Sequence, residues 1–209
     1  NLEYKKKIEI LKKSREMIEI LHNEYKILHT DLNLWNIMYN KKDDKVTVGI
    51  LVTATHSALD NAKEGFVEAL KANGYEDAEF IVKNPEGDTT TMNSMATELV
   101  RKSDIVLGIG TPAAVALQSA RDAEEIDITV LFTAVTDPVS AGLMQDPNKP
   151  TDITGTNDMN PVAEQVDLIL ELAPGIKKIG VLYNVAETNS QIQAEMVKAQ
   201  AAIKGVAVV

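Results

Sequence analysis

The sequence predicts an α/β fold in which a parallel sheet carries helices on both faces. Three observations support this prediction. Short apolar runs alternate with longer amphipathic runs, the connections between them are short, and the apolar runs are rich in β-branched residues. A chain of 209 residues with 44% hydrophobic content can bury a sizeable core and form one or two domains.

The stretch from 104 to 139 shows the pattern most clearly. The apolar run Ile105–Ile109 predicts a strand buried on both faces, and it leads into Gly110-Thr111-Pro112. We expect Thr111 to be the N-cap of a helix over 113–123, because threonine caps helices well and Pro112 suits the first helical position. A second buried strand, Ile128–Val135, follows. The polar loops after both strands are predicted to share one edge of the sheet, where open α/β sheets bind ligands.

The same alternation continues over the rest of the chain from residue 46. The other predicted strands are 46–52, 78–82, 178–183 and 206–209, and the other predicted helices are 58–73, 89–102, 161–172 and 191–204. A Pro/Asn/Asp-rich stretch at 145–151 predicts a crossing between two lobes, 46–150 and 151–209. The second lobe repeats the layout of the first and is expected to be incomplete, since a matching lobe needs on the order of 100 residues.

Charge and composition exclude several classes of function. Residues 1–45 have a charge balance of +2 and the remainder −12, which gives the net charge of −10. The acidic body argues against a nucleic-acid partner, and the change near residue 45 indicates that two kinds of sequence meet there. Cysteine is absent and the three histidines lack metal-ligand spacing, so we expect no metal and no cofactor. No apolar run is long enough to span a membrane, and no leader resembles a signal peptide.

The N-terminal stretch 1–45 combines an amphipathic helix, predicted over 2–25, with a short motif. His29-Thr30-Asp31 followed by Asn36 resembles the catalytic loop of kinase-like phosphotransferases of the aminoglycoside, choline and spore-coat kinase type. That resemblance implies that Asp31 orients an attacking hydroxyl and that Asn36 holds magnesium. The family's second metal-binding aspartate and its nucleotide-binding loop have no counterpart, so we expect no activity from this fragment. These residues are alternatively ordinary loop residues.

Six segments in unbroken order carry a second resemblance. They are THSALDNAKEGFVEAL, NPEGD, IGTPAAVAL, FTAVTDPVSAGL, TGTNDMNPVAEQVDLI and KKIGVLYNVAETNS. With them, residues 46–209 closely resemble the substrate-binding proteins of ABC importers of the tryptophan/tyrosine type, which have the type I periplasmic-binding fold. The first loop of that family usually reads EHPALD, so Thr55 and Ser57 depart from it.

The resemblance implies a binding protein and not an enzyme, with no catalytic residues. It implies capture of a small amino-acid-like ligand, often aromatic, between two lobes, and delivery to an ABC permease. It also implies an extracytoplasmic location, either periplasmic or lipid-anchored at the cell surface. A kinase-like piece joined to most of a binding protein indicates a chimera or a truncated reading frame. The alternative functions are a nucleotide-dependent α/β enzyme, which the absence of phosphate-binding motifs disfavours, and a remnant small-molecule kinase.

Residues that follow the predicted strands are the candidate ligand contacts. Thr111 and the N–H groups after it lie at a helix N-terminus, which favours a carboxylate. In the first lobe the candidates are His56, Thr111, Pro112, Ala113, Ala114, Thr136 and Asp137. In the second lobe they are Thr156, Asn157, Asn184, Glu187, Asn189 and Ser190.

Several of these candidates have a structural alternative. Asp137 either pairs with a ligand ammonium group or holds the turn before Pro138. His56 either contacts the ligand or caps a helix, and Asn189 or Ser190 caps the following helix if it does not face the ligand. Gly87-Asp88 either faces the ligand or forms a turn, and we favour the turn.

Overall fold

The computed structural model describes residues 45–147, 149 and 151–209. The predictions for residues 1–44, including the helix over 2–25 and the kinase-like loop with His29, Asp31 and Asn36, lie outside the described residues. The chain divides into two compact units, and the boundary falls between Asn157 and Asp158.

The first unit contains a five-stranded, fully parallel sheet. Its strands are β1 (Thr47–Val52), β2 (Glu79–Lys83), β3 (Ile105–Ile109), β4 (Thr129–Val135) and β5 (Ile153–Asn157). They lie in the order β2-β1-β3-β4-β5. The chain leaves β1 toward β2 and then returns to β3 on the other side of β1. The switch point of the sheet therefore lies between β1 and β3, which is where open α/β sheets form their ligand crevice.

Helices cover both faces of this sheet, as predicted. They are α1 (Ser57–Ala72), α2 (Thr89–Lys102) and α3 (Thr111–Glu124). Leu99 of α2 and Leu117 of α3 pack with Val106 in the larger core cluster. On the other face, Phe66 of α1 packs on a second cluster that contains Ile50. All five residues of β3 are buried, which explains why its sequence is apolar throughout and does not alternate.

The strand β5 extends the first sheet beyond the lobe boundary expected at 150/151. Its residues pair with β4, with Ile153 opposite Val130 and Gly155 opposite Phe132. Polar turn residues at 145–151 indicated a crossing between lobes, but the chain returns to the sheet for one more strand. The compact unit consequently ends at Asn157.

The second unit is a smaller α/β arrangement. It contains α4 (Val162–Leu172), β6 (Lys178–Ile179), α5 (Thr188–Ile203) and β7 (Ala207–Val208), with β6 and β7 paired in parallel. Val166, Ile179 and Ala201 form its buried cluster. The strand predicted over 178–183 is shorter than expected. Pairing ends with the hydrogen bond from the Val181 N–H to the Val209 carbonyl, and Leu182 is fully exposed.

Two features are absent from the described residues. None of their helices is both long enough and apolar enough to cross a membrane. Among the same residues, no group of three or more histidine, cysteine, aspartate or glutamate side chains is arranged to hold a metal ion.

Candidate functional site

The carboxyl ends of the first unit's strands carry a row of polar loops. The connection from β4 to β5 spans 136–152, and its later part contains Lys149, which pairs with Asp146. The segments directly after the four strand ends are 53–56, 84–88, Gly110 and 136–142. Together they contain three carboxylates, Glu86, Asp88 and Asp137, and neither lysine nor arginine. This edge therefore presents polar, negatively charged groups at the position where open α/β sheets bind ligands.

Thr53 joins the loops on both sides of the switch point. Its N–H and its hydroxyl both donate to the Ile109 carbonyl, at 3.1 and 3.0 Å. Gly110 follows with φ of 94°, and a Cβ at that position would lie 2.5 Å from Thr53 Oγ1. Glycine is therefore required here both by the backbone conformation and by the space available. This contact fixes where the chain enters α3.

The N-terminus of α3 differs from the sequence prediction by one residue. Gly110, and not Thr111, is the N-cap, because the positive φ that the close approach to Thr53 imposes falls on Gly110. The Ala114 N–H donates to the Gly110 carbonyl at 3.1 Å and is thus not free for a ligand, in contrast to our expectation. The N–H groups of Thr111 and Ala113 precede that first helical bond, and Pro112 has no N–H. The Thr111 side chain is buried.

Asp137 holds the turn after β4. Its Oδ1 accepts hydrogen bonds from the N–H groups of Val139 and Ser140, at 3.0 and 3.1 Å, and its Oδ2 accepts from Ser140 Oγ at 2.6 Å. The Ser140 hydroxyl, followed by the two backbone N–H groups, holds the pKa of this carboxyl below its ordinary value, although partial burial opposes the shift. Both oxygens are engaged locally, and Thr136 beside it is buried. A role for Asp137 toward an ammonium group stays a prediction.

Two other candidates of the first unit act as helix caps. His56 is exposed, and its Nδ1 accepts the Ala58 N–H at 3.2 Å at the start of α1. Asp88 caps α2 by accepting the Thr91 N–H at 2.7 Å. Gly87 has φ of 78°, as the turn interpretation of 84–88 requires. His56 therefore caps α1, and its contact with a ligand stays a prediction.

A cluster that the sequence did not suggest joins the loops after β1 and β2. Glu86 Oε1 accepts from Thr55 Oγ1 at 2.5 Å and from Asn84 Nδ2 at 2.8 Å, and Glu86 Oε2 accepts from the Thr55 N–H at 3.1 Å. Asn84 also donates to Thr55 Oγ1 and accepts the Glu86 N–H. The Thr55 hydroxyl, then the Thr55 N–H, lowers the pKa of the Glu86 carboxyl. The available signal was an acidic residue in the turn after β2, the strand beside β1.

Thr156 and Asn157 belong to the first unit and not to the second lobe, where we expected them. Both lie in β5, which pairs with β4. Thr156 Oγ1 lies 2.9 Å from Thr133 Oγ1 across that pair, and Asn157 is opposite Val135. Their placement follows from the extra strand of the first sheet.

The remaining candidates lie together at the start of α5 in the second unit. Glu187 Oε1 accepts from Asn184 Nδ2 at 3.0 Å, and Glu187 Oε2 accepts from Ser190 Oγ at 3.3 Å. Glu187 is the N-cap, so neither Asn189 nor Ser190 caps the helix, because both lie within its first turn. Asn189 Oδ1 is buried without a hydrogen-bond partner. Three of the four predicted residues of this unit are therefore linked by hydrogen bonds.

Comparison with known proteins defines the class first. A leucine-binding protein from Thermotoga maritima is 15% identical and superposes with a TM-score of 0.59, over 78% of this chain and 47% of its own. The ABC domain from Streptococcus pneumonia, solved in complex with L-Trp, is 37% identical with a TM-score of 0.73, over 79% and 56%. The parallel sheet with its polar strand-end loops thus has the type I periplasmic-binding fold.

The family follows from the sequence comparison. The family model described as ABC transporter substrate binding protein matches residues 47–209, and the chain belongs to this family. The Tyrosine-binding protein of Clostridioides difficile (strain R20291) is 40% identical over 164 residues, which are 75% of this chain and 46% of that protein. The chain thus spans about half the length of the relatives it matches. The kinase-like resemblance of residues 1–45 stays a prediction, since the family match begins at Thr47.

Proposed function

We propose that this chain is the solute-binding component of an ABC importer and that it captures a small amino-acid-like ligand, with an aromatic amino acid favoured. The observation that carries the proposal is the strand-end edge of the first unit, where polar loops are fixed across the switch point by Thr53 and Gly110. Relatives that are 37% and 40% identical are a protein solved with L-Trp and a tyrosine-binding protein, which supports an aromatic ligand.

The proposal includes a location and a partner. Substrate-binding proteins of this family work outside the cytoplasm, so we expect the chain in the periplasm or lipid-anchored at the cell surface, and an ABC permease to receive its ligand. Binding and release need no chemical step, and we expect no enzymatic turnover.

The proposed contacts are those predicted from the sequence. In the first unit they are His56, Thr111, Pro112, Ala113, Ala114, Thr136, Asp137, Thr156 and Asn157. In the second unit they are Asn184, Glu187, Asn189 and Ser190. Ala114 is buried and its Cα closely approaches Gly108 of β3, so it supports the N-terminus of α3 against the sheet.

Titration calorimetry against the twenty amino acids tests the proposal, with NMR titration for weak binders. We expect tyrosine, tryptophan or phenylalanine to bind at least about tenfold more tightly than glutamate or lysine, which is a difference of about 1.4 kcal/mol. A thermal-shift screen with nucleotides serves as the control. If a nucleotide binds and none of the twenty amino acids does, the proposal is contradicted and the enzyme alternative is favoured.

A further inference from the structure

We propose that Ala134 is a positioning residue of the ligand site, because the β-bulge that it forms fixes the side of the sheet on which Thr136 and Asp137 leave β4. This inference rests on the proposed function, since it concerns two of the proposed contacts. It adds a residue that makes no proposed contact itself and acts through the loop that follows it.

The first argument is the register of β4 and β5. Phe132 lies opposite Gly155, and Val135 lies opposite Asn157. Two residues of β4, at 133–134, therefore face one residue of β5, which is the arrangement of a β-bulge. Bulges are rare between parallel strands, and they change the direction of the side chains that follow them. This one lies directly before the carboxyl end of β4.

The second argument is the side of the sheet that each residue occupies. Phe132 belongs to the larger core cluster, and Leu131 belongs to the second cluster on the opposite face. Regular alternation would place Ala134 in the same cluster as Phe132, and Val135 in the other. The structure has the reverse, because Ala134 packs against the second cluster and Val135 is 0% exposed in the larger one. The bulge thus exchanges the two sides for every residue after it.

The third argument is that neighbouring residues hold the bulge from both sides. The Gly110 N–H donates to the Thr133 carbonyl at 3.0 Å, and Thr133 Oγ1 lies 2.9 Å from Thr156 Oγ1. A side chain on Gly155 would collide with a backbone carbonyl of β4, so glycine allows the two strands to approach closely before the bulge. Ala134 has φ of 54°, which alanine adopts only where its surroundings impose it.

The fourth argument is the position of the bulge among the proposed contacts. Gly110, which donates to the bulge, is the N-cap directly before Thr111. Thr156 is itself a proposed contact, and Thr136 and Asp137 follow Ala134 closely in the chain. Thr136 is buried, so a reversal would remove its side chain from the groups that enclose it. A change in the bulge therefore displaces contacts on β4, on β5 and at the start of α3.

The test replaces Ala134 by two residues that differ in backbone preference. Ala134→Gly keeps the bulge, because glycine adopts a positive φ readily. Ala134→Val opposes it, because a positive φ is strongly disfavoured for a β-branched residue. Titration calorimetry with L-tyrosine, L-tryptophan and L-phenylalanine measures the affinity of the folded variants. We expect A134G to bind within about threefold of the wild type and A134V at least about tenfold more weakly, the effect of losing one hydrogen bond to a charged group.

Ala62→Val is the matched control. Ala62 is also partly buried and packs against the same cluster as Ala134, but it lies within α1. A62V adds the same two methyl groups without a positive φ, so we expect its affinity to stay within about threefold of the wild type. A residue with only a structural role would lower Tm and leave the affinity of the folded protein unchanged.

The amide signals of Val139 and Ser140 give a measurement that needs no ligand. Both N–H groups donate to Asp137 Oδ1, so their NMR signals report the position of this side chain. We expect them to keep their wild-type positions in A134G and to shift in A134V. Signals that are unchanged in A134V show that the bulge does not position Asp137, and they overturn the inference.

The outcomes separate the two proposals. If folded A134V binds as tightly as the wild type, or if A134G or A62V binds as weakly as A134V, the inference is overturned and the proposed function stands. If none of the three amino acids binds to the wild type, the proposed function fails and the inference fails with it. If A134V does not fold, the wild-type amides of Val139 and Ser140 decide. They should shift when the amino acid binds, and unchanged signals overturn the inference.

Discussion

The two units differ in how well their own residues support their loops. In the first unit, five strands are packed between helices, and the buried residues form two clusters on opposite faces of the sheet. In the second unit, two short strands and two helices share one small cluster, and large apolar side chains such as Leu168, Leu172 and Ile203 are exposed. Rigid elements hold binding groups more accurately than loops on a small frame do. We therefore expect the first unit to be preorganised and the second to contribute little stability.

The largest expected effect tests this comparison directly. Leu117→Ala removes a side chain that is 0% exposed in the first core, whereas Leu172→Ala removes one that is 76% exposed in the second unit. We expect a loss of about 2–5 kcal/mol for the first change and less than about 0.5 kcal/mol for the second. Urea denaturation followed by circular dichroism measures both. Equal losses contradict the view that stability is concentrated in the first unit.

A second prediction concerns the contact between Thr53 and Gly110. In Gly110→Ala the alanine must adopt a positive φ, and its Cβ meets Thr53 Oγ1 at 2.5 Å. We therefore expect the free energy of unfolding to fall by about 2–3 kcal/mol. Gly65→Ala is the control, because this helical glycine has open space around it, and we expect a gain of about 0.5–1 kcal/mol. Denaturation midpoints of the two variants should move in opposite directions. A neutral G110A shows that the two loops are not held as described.

The smallest expected effect concerns Asp137. Its folded pKa is lowered from the ordinary 3.8 by Ser140 and Val139. A carboxyl whose pKa is lowered by folding stabilises the fold at pH values above its pKa in the unfolded chain. That contribution is lost as the pH falls through its pKa in the folded chain. Asp137→Asn removes this contribution, so we expect the Tm of the variant to fall less steeply than that of the wild type below about pH 4. The corresponding difference in the free energy of unfolding is only about a few tenths of a kcal/mol, because solvent screens the group. Parallel Tm curves of the wild type and D137N contradict this.

Regular elements with clear boundaries could be predicted from the sequence. The strand Ile105–Ile109 and the helix Thr89–Lys102 have the predicted bounds. Their apolar periodicity and flanking turn residues are local signals, which need no knowledge of the partner elements. The polar edge of the sheet could be predicted from strand alternation, because parallel strands end at the same edge, whereas the strand order with its switch point came only from the structure.

Features that depend on distant residues could not be predicted. β5, with the sequence ITGTN, has weak periodicity, and only its pairing with β4 makes it a strand of the first sheet. The position of the Glu86 carboxylate depends on a hydrogen bond from Thr55, which is 31 residues away, and the cap of α3 depends on the approach of Thr53 to Gly110. In each case a nonlocal contact overrides the local preference.

Thr53 uses its N–H, its hydroxyl and its carbonyl to bind both neighbouring loops, with Ile109 on one side and Gly87 on the other. The segments that carry Glu86 and Thr111 are therefore mechanically coupled. We therefore expect a displacement of either segment to move the other, so that a mutation in one of them changes the geometry of both. Substitutions in these two segments should therefore have non-additive effects on stability, with Thr53 as the residue that links them.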